Sequence, residues 1–475
     1  MTHSVNRLVG RPRAEGACHR AGGRRRGGGI ALSGGEPGGR PALMLRNAVI
    51  AGNALGGISV GEGATAALVN VAVVGTGGTC TSPPIRRWST PGIPPSDPTA
   101  VVDAAMEAFP YPPRPLALAL ALALAAGACG GLGSAPVLAV RAVGTVPNIP
   151  PSTGRDVGFS AMLDGRSVWV FGDTLFVEPA ADGLRWRSSS WSWTTDADSS
   201  DGVGPFEHAM GSDDRPLQLL PHTAEELAWN LAHEGEGCTA GDLCGSRLTP
   251  WPQAVVSAPD GGSALVFYAD METGMGTGDG EGGWDFRAIG GSVAVWADPG
   301  APASRVLPPL FGREEPSWGA AAVRVDDLVY AYACEPGCRV ARVPFERAGE
   351  RGEWTFWDGA GWSADWRRAV AVFDGAPLFS VHWSGYFGAF VAFYMPPAEE
   401  EIVLRTAPAP QGPWSGPRRV GRGEPGQGGA WDYALIAHPE LAREGGRIEI
   451  LSYTRPTGFL ASETPLLEVE FASVP

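Results

Sequence analysis

The chain has 475 residues, enough for two or three average domains or for one large all-β propeller or barrel. Its 68 glycines and 43 prolines leave room for few long helices, and 17 Trp, 17 Phe and 8 Tyr indicate an aromatic core. Residues 1–128 contain 12 Arg and 6 Asp or Glu, a net charge of +6. Because the whole chain carries a net charge of −15, residues 129–475 carry −21. So acidic a body argues against a nucleic-acid-binding protein, which needs a basic surface to neutralise phosphates.

The first 105 residues are predicted to be an over-extended or disordered leader. Within them, LRNAVIAGNALGGISVGEGATAALVNVAVVG has the Asn and Gly rhythm of a parallel β-helix rung, but two rungs cannot bury a core alone. A natural start at Met106 would place the next segment, which reads as a signal peptide, at the beginning of the chain.

Residues 106–129 are predicted to be that signal peptide, because an Arg precedes about eleven apolar residues and then small residues in PPRPLALALALALAAGACGG. The small residues before Cys129 resemble a bacterial lipobox, in which the cysteine is lipidated and becomes the mature N-terminus. We therefore expect an exported protein, either a lipoprotein of the bacterial cell envelope or an extracellular protein. Contact with a membrane is expected only through a lipid anchor at Cys129.

From residue 145 to 475, one two-strand unit recurs, each copy having an inner strand, a Gly or Asp turn and a very apolar second strand. Five hairpins of one design, most followed by further strand-like runs, predict an all-β, five-bladed β-propeller. A pair of immunoglobulin-like sandwiches is the alternative, which the shared internal pattern disfavours. The five copies are GRDVGFSAMLDGRSVWVFGDTLF (154–176), PQAVVSAPDGGSALVFYADME (252–272), SWGAAAVRVDDLVYAYACEP (317–336), LFSVHWSGYFGAFVAFYMP (378–396) and WDYALIAHPELAREGGRIEILSYTR (431–455).

An insertion at about residues 197–248 separates the first two copies and contains TAEELAWNLAHE, the one stretch with a helical pattern. The cysteines of the body form two close pairs, Cys238 with Cys244 and Cys334 with Cys338. Even, local pairing predicts two disulfides in an oxidising compartment. A four-cysteine zinc site is the alternative, but neither pair has C-x-x-C spacing.

Several acidic residues lie where hairpins begin and end, and this placement suggests catalysis. In a propeller blade the start of the innermost strand and the end of the second strand emerge on the same face, so Asp156 and Asp173 are expected to share a rim. Glycoside hydrolysis needs one carboxylic acid and a second carboxylate. We take Asp156, Asp173 and Glu315 as candidate catalytic residues. Asp and Glu are also ordinary turn and cap residues, and Asp164, at the hairpin turn, has no expected catalytic role.

Further residues on or near this rim are candidates for contacting a substrate. Arginines can bind a substrate group and aromatic rings can stack on sugar faces, although buried Trp is more often core and the two histidines are as well explained by a structural role. No H-E-x-x-H motif occurs, so no catalytic metal is predicted. The substrate-binding candidates are Arg155, Trp251, Trp318, His382, Asp432, Tyr433 and His438.

At these residues the chain resembles a known group. GRDVGFSAMLDGRSVWVFGDTLF resembles the opening motif of the bacterial domain of unknown function 4185, and RTAPAPQGPWSGP followed by WDYALIAHPEL resembles its closing blades. The group is related to the five-bladed propellers of glycoside hydrolase family 43, and some members are endo-D-arabinanases. The resemblance implies that Asp156 stands where related propellers place the first catalytic Asp. Val157 and Phe159 depart from the Gly and Tyr expected there.

The sequence thus favours a glycoside hydrolase-like propeller acting on a cell-envelope or environmental polysaccharide, with arabinan as one candidate. A non-catalytic propeller that binds a glycan or an envelope protein is the alternative. We expect a monomer whose chemistry requires no cofactor, with a structural calcium or other ion in the propeller channel left open.

Overall fold

The computed structural model describes residues 136–473, apart from 235–237, 239–243, 276–283, 336, 428–429 and 459–460, and six short strands before them. The chain divides into two units, Met1–Tyr111 and Pro112–Pro475. The predicted signal peptide and its Cys129 lie outside the described residues.

Six short strands in the first unit pair in parallel, β1 with β4, β2 with β5 and β3 with β6. Three strands followed by three parallel partners in the same order is the pairing of two successive β-helix rungs, as the Asn and Gly rhythm indicates. The strands are β1 (Ile30–Leu32), β2 (Ala42–Arg46), β3 (Val49–Ala51), β4 (Ile58–Val60), β5 (Thr65–Val69) and β6 (Ala72–Val74).

The second unit contains five antiparallel sheets of four or five strands, which are the five blades. Blade one has β8 (Gly154–Leu163), β9 (Arg166–Leu175), β10 (Trp186–Arg187), β11 (Ser190–Thr194) and β12 (Glu207–His208). Blade two has β13 (Arg247–Ser257), β14 (Ala264–Met275), β15 (Trp284–Trp296), β16 (Ser304–Arg305) and β17 (Phe311–Gly312). Blade three has β18 (Ala321–Val325), β19 (Leu328–Cys334), β20 (Cys338–Pro344), β21 (Thr355–Trp357) and β22 (Trp362–Ser363).

The last two blades have four strands each, and the fifth is completed by a strand from the start of the unit. Blade four has β23 (Ser380–Ser384), β24 (Ala389–Tyr394), β25 (Glu401–Ala407) and β26 (Arg418–Arg422). Blade five has β27 (Tyr433–Ala437), β28 (Ile448–Gly458), β29 (Ala461–Phe471) and the N-terminal β7 (Val137–Val146).

The inner strands neighbour one another in a closed ring, in the order β8, β13, β18, β23, β27 and back to β8. The predicted five-bladed all-β propeller is therefore confirmed. Its ring is closed by β7, which pairs antiparallel with β29 from Val137 to Val146. This closing strand begins ahead of residue 145, where the sequence placed the start of the domain.

Each predicted hairpin forms the two innermost strands of one blade. In the first, Asp164 and Gly165 make the turn with φ values of 50° and 72°, a pair of left-handed residues that suits the twist of a two-residue hairpin. Asp164 therefore lies at the opposite end of the hairpin from Asp156 and Asp173, as predicted.

The insertion contains one α-helix, α1 (Ala224–His233), capped by Thr223 and Glu226 in a capping box. Asn230 fixes it to blade two, donating to the Leu248 carbonyl at 3.0 Å and accepting from the Leu248 amide at 2.8 Å. No helix in the described part of the chain is long and apolar enough to cross a membrane. Short 3-10 helices cover Phe345–Arg347, Arg351–Glu353, Trp366–Arg368, Pro439–Leu441 and Glu444–Gly446.

Both predicted disulfides are present, Cys238 with Cys244 and Cys334 with Cys338. The zinc alternative is wrong, because all four sulfurs are engaged in these bonds. The second disulfide joins the end of β19 to the start of β20, the strand of blade three that the sequence did not predict.

Truncation of β7 tests the closure of the ring. A chain beginning at residue 147 should melt about 5 °C or more below one beginning at residue 136, because β29 loses its ladder partner and Glu468 loses Arg141. Thermal unfolding followed by circular dichroism measures this difference. Equal melting temperatures would show that β7 is dispensable for closure.

Candidate functional site

Asp156 lies at a β-bulge in the inner strand of blade one. Arg155 pairs with Thr174, Val157 with Phe171 and Phe159 with Val170, so Asp156 and Gly158 are left out of the ladder with β9. Val157 has φ 68° and Gly158 has φ 116°. A β-branched residue rarely adopts a positive φ, and bulges of this kind redirect a side chain away from the regular pleat.

The redirected Asp156 carboxylate reaches across to blade five. Tyr433, the first residue of β27, donates a hydrogen bond from its hydroxyl to Asp156 Oδ2 at 3.0 Å. The other oxygen, Oδ1, lies against the backbone of Gly172, where a methyl group would come within 2.3 Å of it. Gly172 therefore leaves the space that the Asp156 carboxylate occupies.

Asp173 stands beside Asp156, near the end of the second strand of the same hairpin. Trp251 of blade two donates its indole N–H to Asp173 Oδ1 at 3.1 Å. Arg247, four residues earlier on β13, lowers the pKa of Asp173 by its charge and lies 4.5 Å from the centroid of the Trp186 ring. Blades one, two and five thus meet at what we call the aspartate site: Asp156, Asp173, Arg247, Trp251 and Tyr433.

The electrostatics of the aspartate site set its two carboxyl groups apart from ordinary surface acids. Burial, then the charge of Asp173, raises the pKa of Asp156 to about 7, although the Tyr433 hydrogen bond lowers it. Burial raises the pKa of Asp173 to about 6, opposed by Arg247 and by the Trp251 hydrogen bond. Both residues have intermediate exposure as a whole, whereas the Asp156 Oδ1 atom is buried. At neutral pH the pair therefore holds fewer than two negative charges, since two adjacent buried carboxylates repel each other.

The side chains of two predicted substrate contacts are buried. Arg155 is 1% exposed and donates to Ser192 Oγ at 2.8 Å and to the Pro147 carbonyl at 2.7 Å. Trp318, also 1% exposed, packs on Phe356 in the core.

The side chains of three further predicted contacts are also buried. His382 is buried with Nε2 3.2 Å from Glu449 Oε1, and His438 is fully buried and stacked on Trp169. Asp432 is buried, and burial followed by the charge of Glu400 raises its pKa to about 7. Tyr433 and Trp251 are the predicted contacts that the structure places at the aspartate site.

Glu315, the predicted general acid, is not brought to the aspartate site. Its carboxylate forms an ion pair with Arg351 at 2.7 Å. It lines a surface cleft of about 540 Å³ together with Arg313, Trp366 and Arg367. Among the described residues it makes no hydrogen bond or ion pair with Asp156 or Asp173, so its catalytic role stays a prediction from the sequence.

Arg247 and Phe286 are not among the residues predicted from the sequence to lie at the site. Arg247 lies in RLTPW, where it precedes Trp251 by four residues and so faces the same side of β13. Phe286, on the third strand of blade two, is 42% exposed, and its ring lies 5.5 Å from that of Trp251. An exposed aromatic residue on a strand is a visible signal, but its neighbour is set by the register of β14 and β15.

No group of three or more His, Cys, Asp or Glu side chains is placed to hold a metal ion among the residues that the structure describes. A structural calcium or other ion in the propeller channel stays a prediction from the sequence.

The fold and the site together define a five-bladed propeller with a pair of coupled aspartates where blades one, two and five meet. The family model of the domain of unknown function DUF4185 matches residues 294–453, about a third of the chain. The match includes the closing-blade motifs and confirms the resemblance seen in the sequence.

Solved structures with a similar chain path have low sequence identity. A putative hydrolase from Bacteroides ovatus is 13% identical, with a TM-score of 0.44 over 69% of this chain and 87% of that chain. The GH43_1 enzyme from Xanthomonas citri is 12% identical, with a TM-score of 0.39 over 70% and 94%. An alpha-L-arabinofuranosidase from Clostridium thermocellum is 12% identical, with a TM-score of 0.38 over 65% and 84%. No curated protein matches the sequence.

The raised pKa of Asp156 predicts a pH-dependent gain in stability on its removal. From the unfolded value of 3.8 to the folded value of about 7, the folded state binds the proton more tightly, so stability falls as pH rises through this window. Asp156→Asn should therefore raise the free energy of unfolding at pH 8 by about 2–4 kcal/mol. At pH 3, where the carboxyl is protonated in both states, it should change little.

Denaturant unfolding at the two pH values measures this gain. Asp164→Asn, at the exposed turn of the same hairpin, is the matched control and should change the free energy of unfolding by less than about 0.5 kcal/mol. Destabilisation by Asp156→Asn at pH 8 would contradict the assigned electrostatics.

Proposed function

We propose that the protein is a glycoside hydrolase whose catalytic centre is the pair Asp156 and Asp173. The observation that carries this proposal is the pair itself: adjacent carboxyl groups whose pKa values are raised to about 7 and about 6. Glycosidases need one protonated and one ionised carboxyl group at the same pH. A coupled pair with two different environments provides both.

The surroundings of the two groups assign their roles. Asp173 is the ionised partner, because the positive charge of Arg247 and the indole N–H of Trp251 both favour its carboxylate form. It acts as the base that activates water or as the nucleophile that attacks the sugar carbon. Asp156 is the protonated partner, because burial and the charge of Asp173 oppose its ionisation. It gives its proton to the glycosidic oxygen as the bond to the sugar breaks.

Trp251 and Phe286 supply a wall for the sugar beside Asp173. Trp251 is partly exposed, Phe286 is 42% exposed, and their rings are inclined at 57° to each other. Aromatic faces offer an apolar surface to the C–H groups of a neutral sugar ring, while the polar groups at the site bind its hydroxyls. We infer a polysaccharide substrate built of neutral sugars, with arabinan proposed on the resemblance in the sequence.

We further propose that the protein works outside the cytoplasm, as a lipoprotein anchored at Cys129 or as a secreted enzyme, and that it acts as a monomer. Two disulfides support an oxidising compartment. The apolar run before Cys129 in the sequence supports export.

Replacement of either aspartate tests the catalytic proposal. Asp156→Asn and Asp173→Asn should each lower kcat/KM by about 10²- to 10⁴-fold, because each removes one half of acid–base catalysis. The wild-type profile of kcat/KM against pH should be bell-shaped with limbs near 6 and 7, values that belong to the pair. Release of reducing ends from arabinan and other plant and bacterial polysaccharides measures both.

Asp164→Asn is the matched control and should keep wild-type activity. Activity retained in both aspartate variants would remove the pair from the mechanism. A polysaccharide that binds to the wild type with no product released would favour the alternative, a non-catalytic glycan-binding propeller.

The proposed aromatic wall predicts a binding defect without a chemical one. Phe286→Ala should raise KM about 2- to 10-fold and leave kcat nearly unchanged, because it removes ring contact made equally in ground and transition states. Trp383→Ala is the control, since Trp383 is 53% exposed but lies at the turn end of the blade-four hairpin. A fall in kcat, or an equal rise of KM in the control, would refute the wall.

A further inference from the structure

The β-bulge that carries Asp156 has a strained backbone. Its residues, Asp156, Val157 and Gly158, are held by contacts from outside blade one. Val157 has φ 68°, a conformation that costs a β-branched residue of the order of 1–3 kcal/mol. Such a conformation persists only where the surroundings enforce it. Gly158, at φ 116°, adopts a conformation essentially restricted to glycine.

The enforcing contacts come from two paired positions of blade five. Thr454 Oγ1 accepts a hydrogen bond at 2.8 Å from the amide of Val157, the residue between the two unpaired bulge positions Asp156 and Gly158. Tyr433 donates to the Asp156 carboxylate at 3.0 Å. Tyr433 and Thr454 are direct partners across β27 and β28. The cross-strand pair of Tyr433 and Thr454 therefore holds both the Asp156 carboxylate and the amide of the next residue, Val157.

We propose that Thr454 is a positioning residue for Asp156: its hydroxyl holds the Val157 amide so that the strained bulge presents the Asp156 carboxylate beside Asp173. This inference rests on the proposed function of the aspartate site, because positioning matters where Asp156 acts. Nothing in the sequence marks Thr454 for this role. Its side chain is fully buried, so it contacts no substrate itself.

The neighbouring Thr464 provides a matched control. It is 1% exposed, its methyl group lies 3.5 Å from the position of a Cβ on Gly158, and its hydroxyl has no hydrogen-bond partner among the described residues. Thr454→Val and Thr464→Val therefore make the same chemical change at two positions that contact the same bulge. Only the first removes the acceptor of the Val157 amide.

The first experiment needs no activity. In the full chain, denaturant unfolding at pH 8 measures the stability gained by Asp156→Asn in the wild-type, Thr454→Val and Thr464→Val backgrounds, as a double-mutant cycle. If Thr454 holds the carboxylate beside Asp173, its loss lets Asp156 relax away. The gain from Asp156→Asn should then fall to about half or less with Thr454→Val and stay unchanged with Thr464→Val. The same gain in all three backgrounds would overturn the proposal.

The second experiment reads the same effect in catalysis. Thr454→Val should lower kcat about 10- to 100-fold with little change in KM, and should move the upper limb of the pH profile to lower pH. Thr454→Ser, which keeps the hydroxyl, should restore both. Where Thr454→Val does not fold, Thr454→Cys replaces it, because a thiol is only a weak acceptor. An unmoved pH profile in the hydroxyl-free variant would refute positioning.

The two experiments separate the two claims. A wild-type protein without activity on any polysaccharide would count against the proposed function, yet the unfolding cycle would still decide whether Thr454 holds Asp156.

Discussion

Closure of the ring between its last and first blades is the constraint on which the aspartate site depends. The pairing of β7 with β29 fixes blade five in the ring, and β27 then lies against β8. The hydroxyl of Tyr433 reaches Asp156 across a separation of 277 residues in the chain only because of that closure. The junction of blades five and one, where the ring closes, is thus also the place where Tyr433 and Thr454 hold the bulge at Asp156.

The pKa values of Asp156 and Asp173 depend on which charged side chains lie near each of them at the junction of blades one, two and five. Asp156 and Asp173 are adjacent, yet Arg155, the nearest arginine in sequence to Asp156, is turned to Ser192 and the Pro147 carbonyl. The positive charge of Arg247 lowers the pKa of Asp173, whereas the carboxylate of Asp156 accepts a hydrogen bond from Tyr433. One carboxyl group therefore has a cationic neighbour and the other has a tyrosine. This asymmetry favours the ionised form of Asp173 over that of Asp156, which the proposed division into base and acid requires.

Much of the fold was predictable because it depends on local sequence patterns. Five hairpins with turn residues at their centres gave the five blades, and the placement of Asp156 and Asp173 at one end of the first hairpin followed from antiparallel topology. The bulge was not predictable, because Val157 is a poor residue for a positive φ and only the contact with Thr454 explains it. The burial of Trp318 and Arg155 was not predictable because rim position and burial are separate properties: a residue near the end of a strand can still turn into the core.

The buried chain of hydrogen bonds below the site explains why His438 is structural although it sits at the same junction of blades five and one. Ser160 Oγ donates to Glu440 Oε1, so its single proton is committed, and the contact of 2.6 Å with His438 Nδ1 requires the ring to donate there. His438 Nε2 is then the acceptor of the Ser452 hydroxyl at 2.9 Å. Burial lowers the pKa of His438 to about 3, consistent with a neutral ring whose two nitrogens are both engaged. A ring in that state has no free lone pair to accept a substrate proton. Its contribution is to join β8 to blade five through its contacts with Ser160 and Ser452.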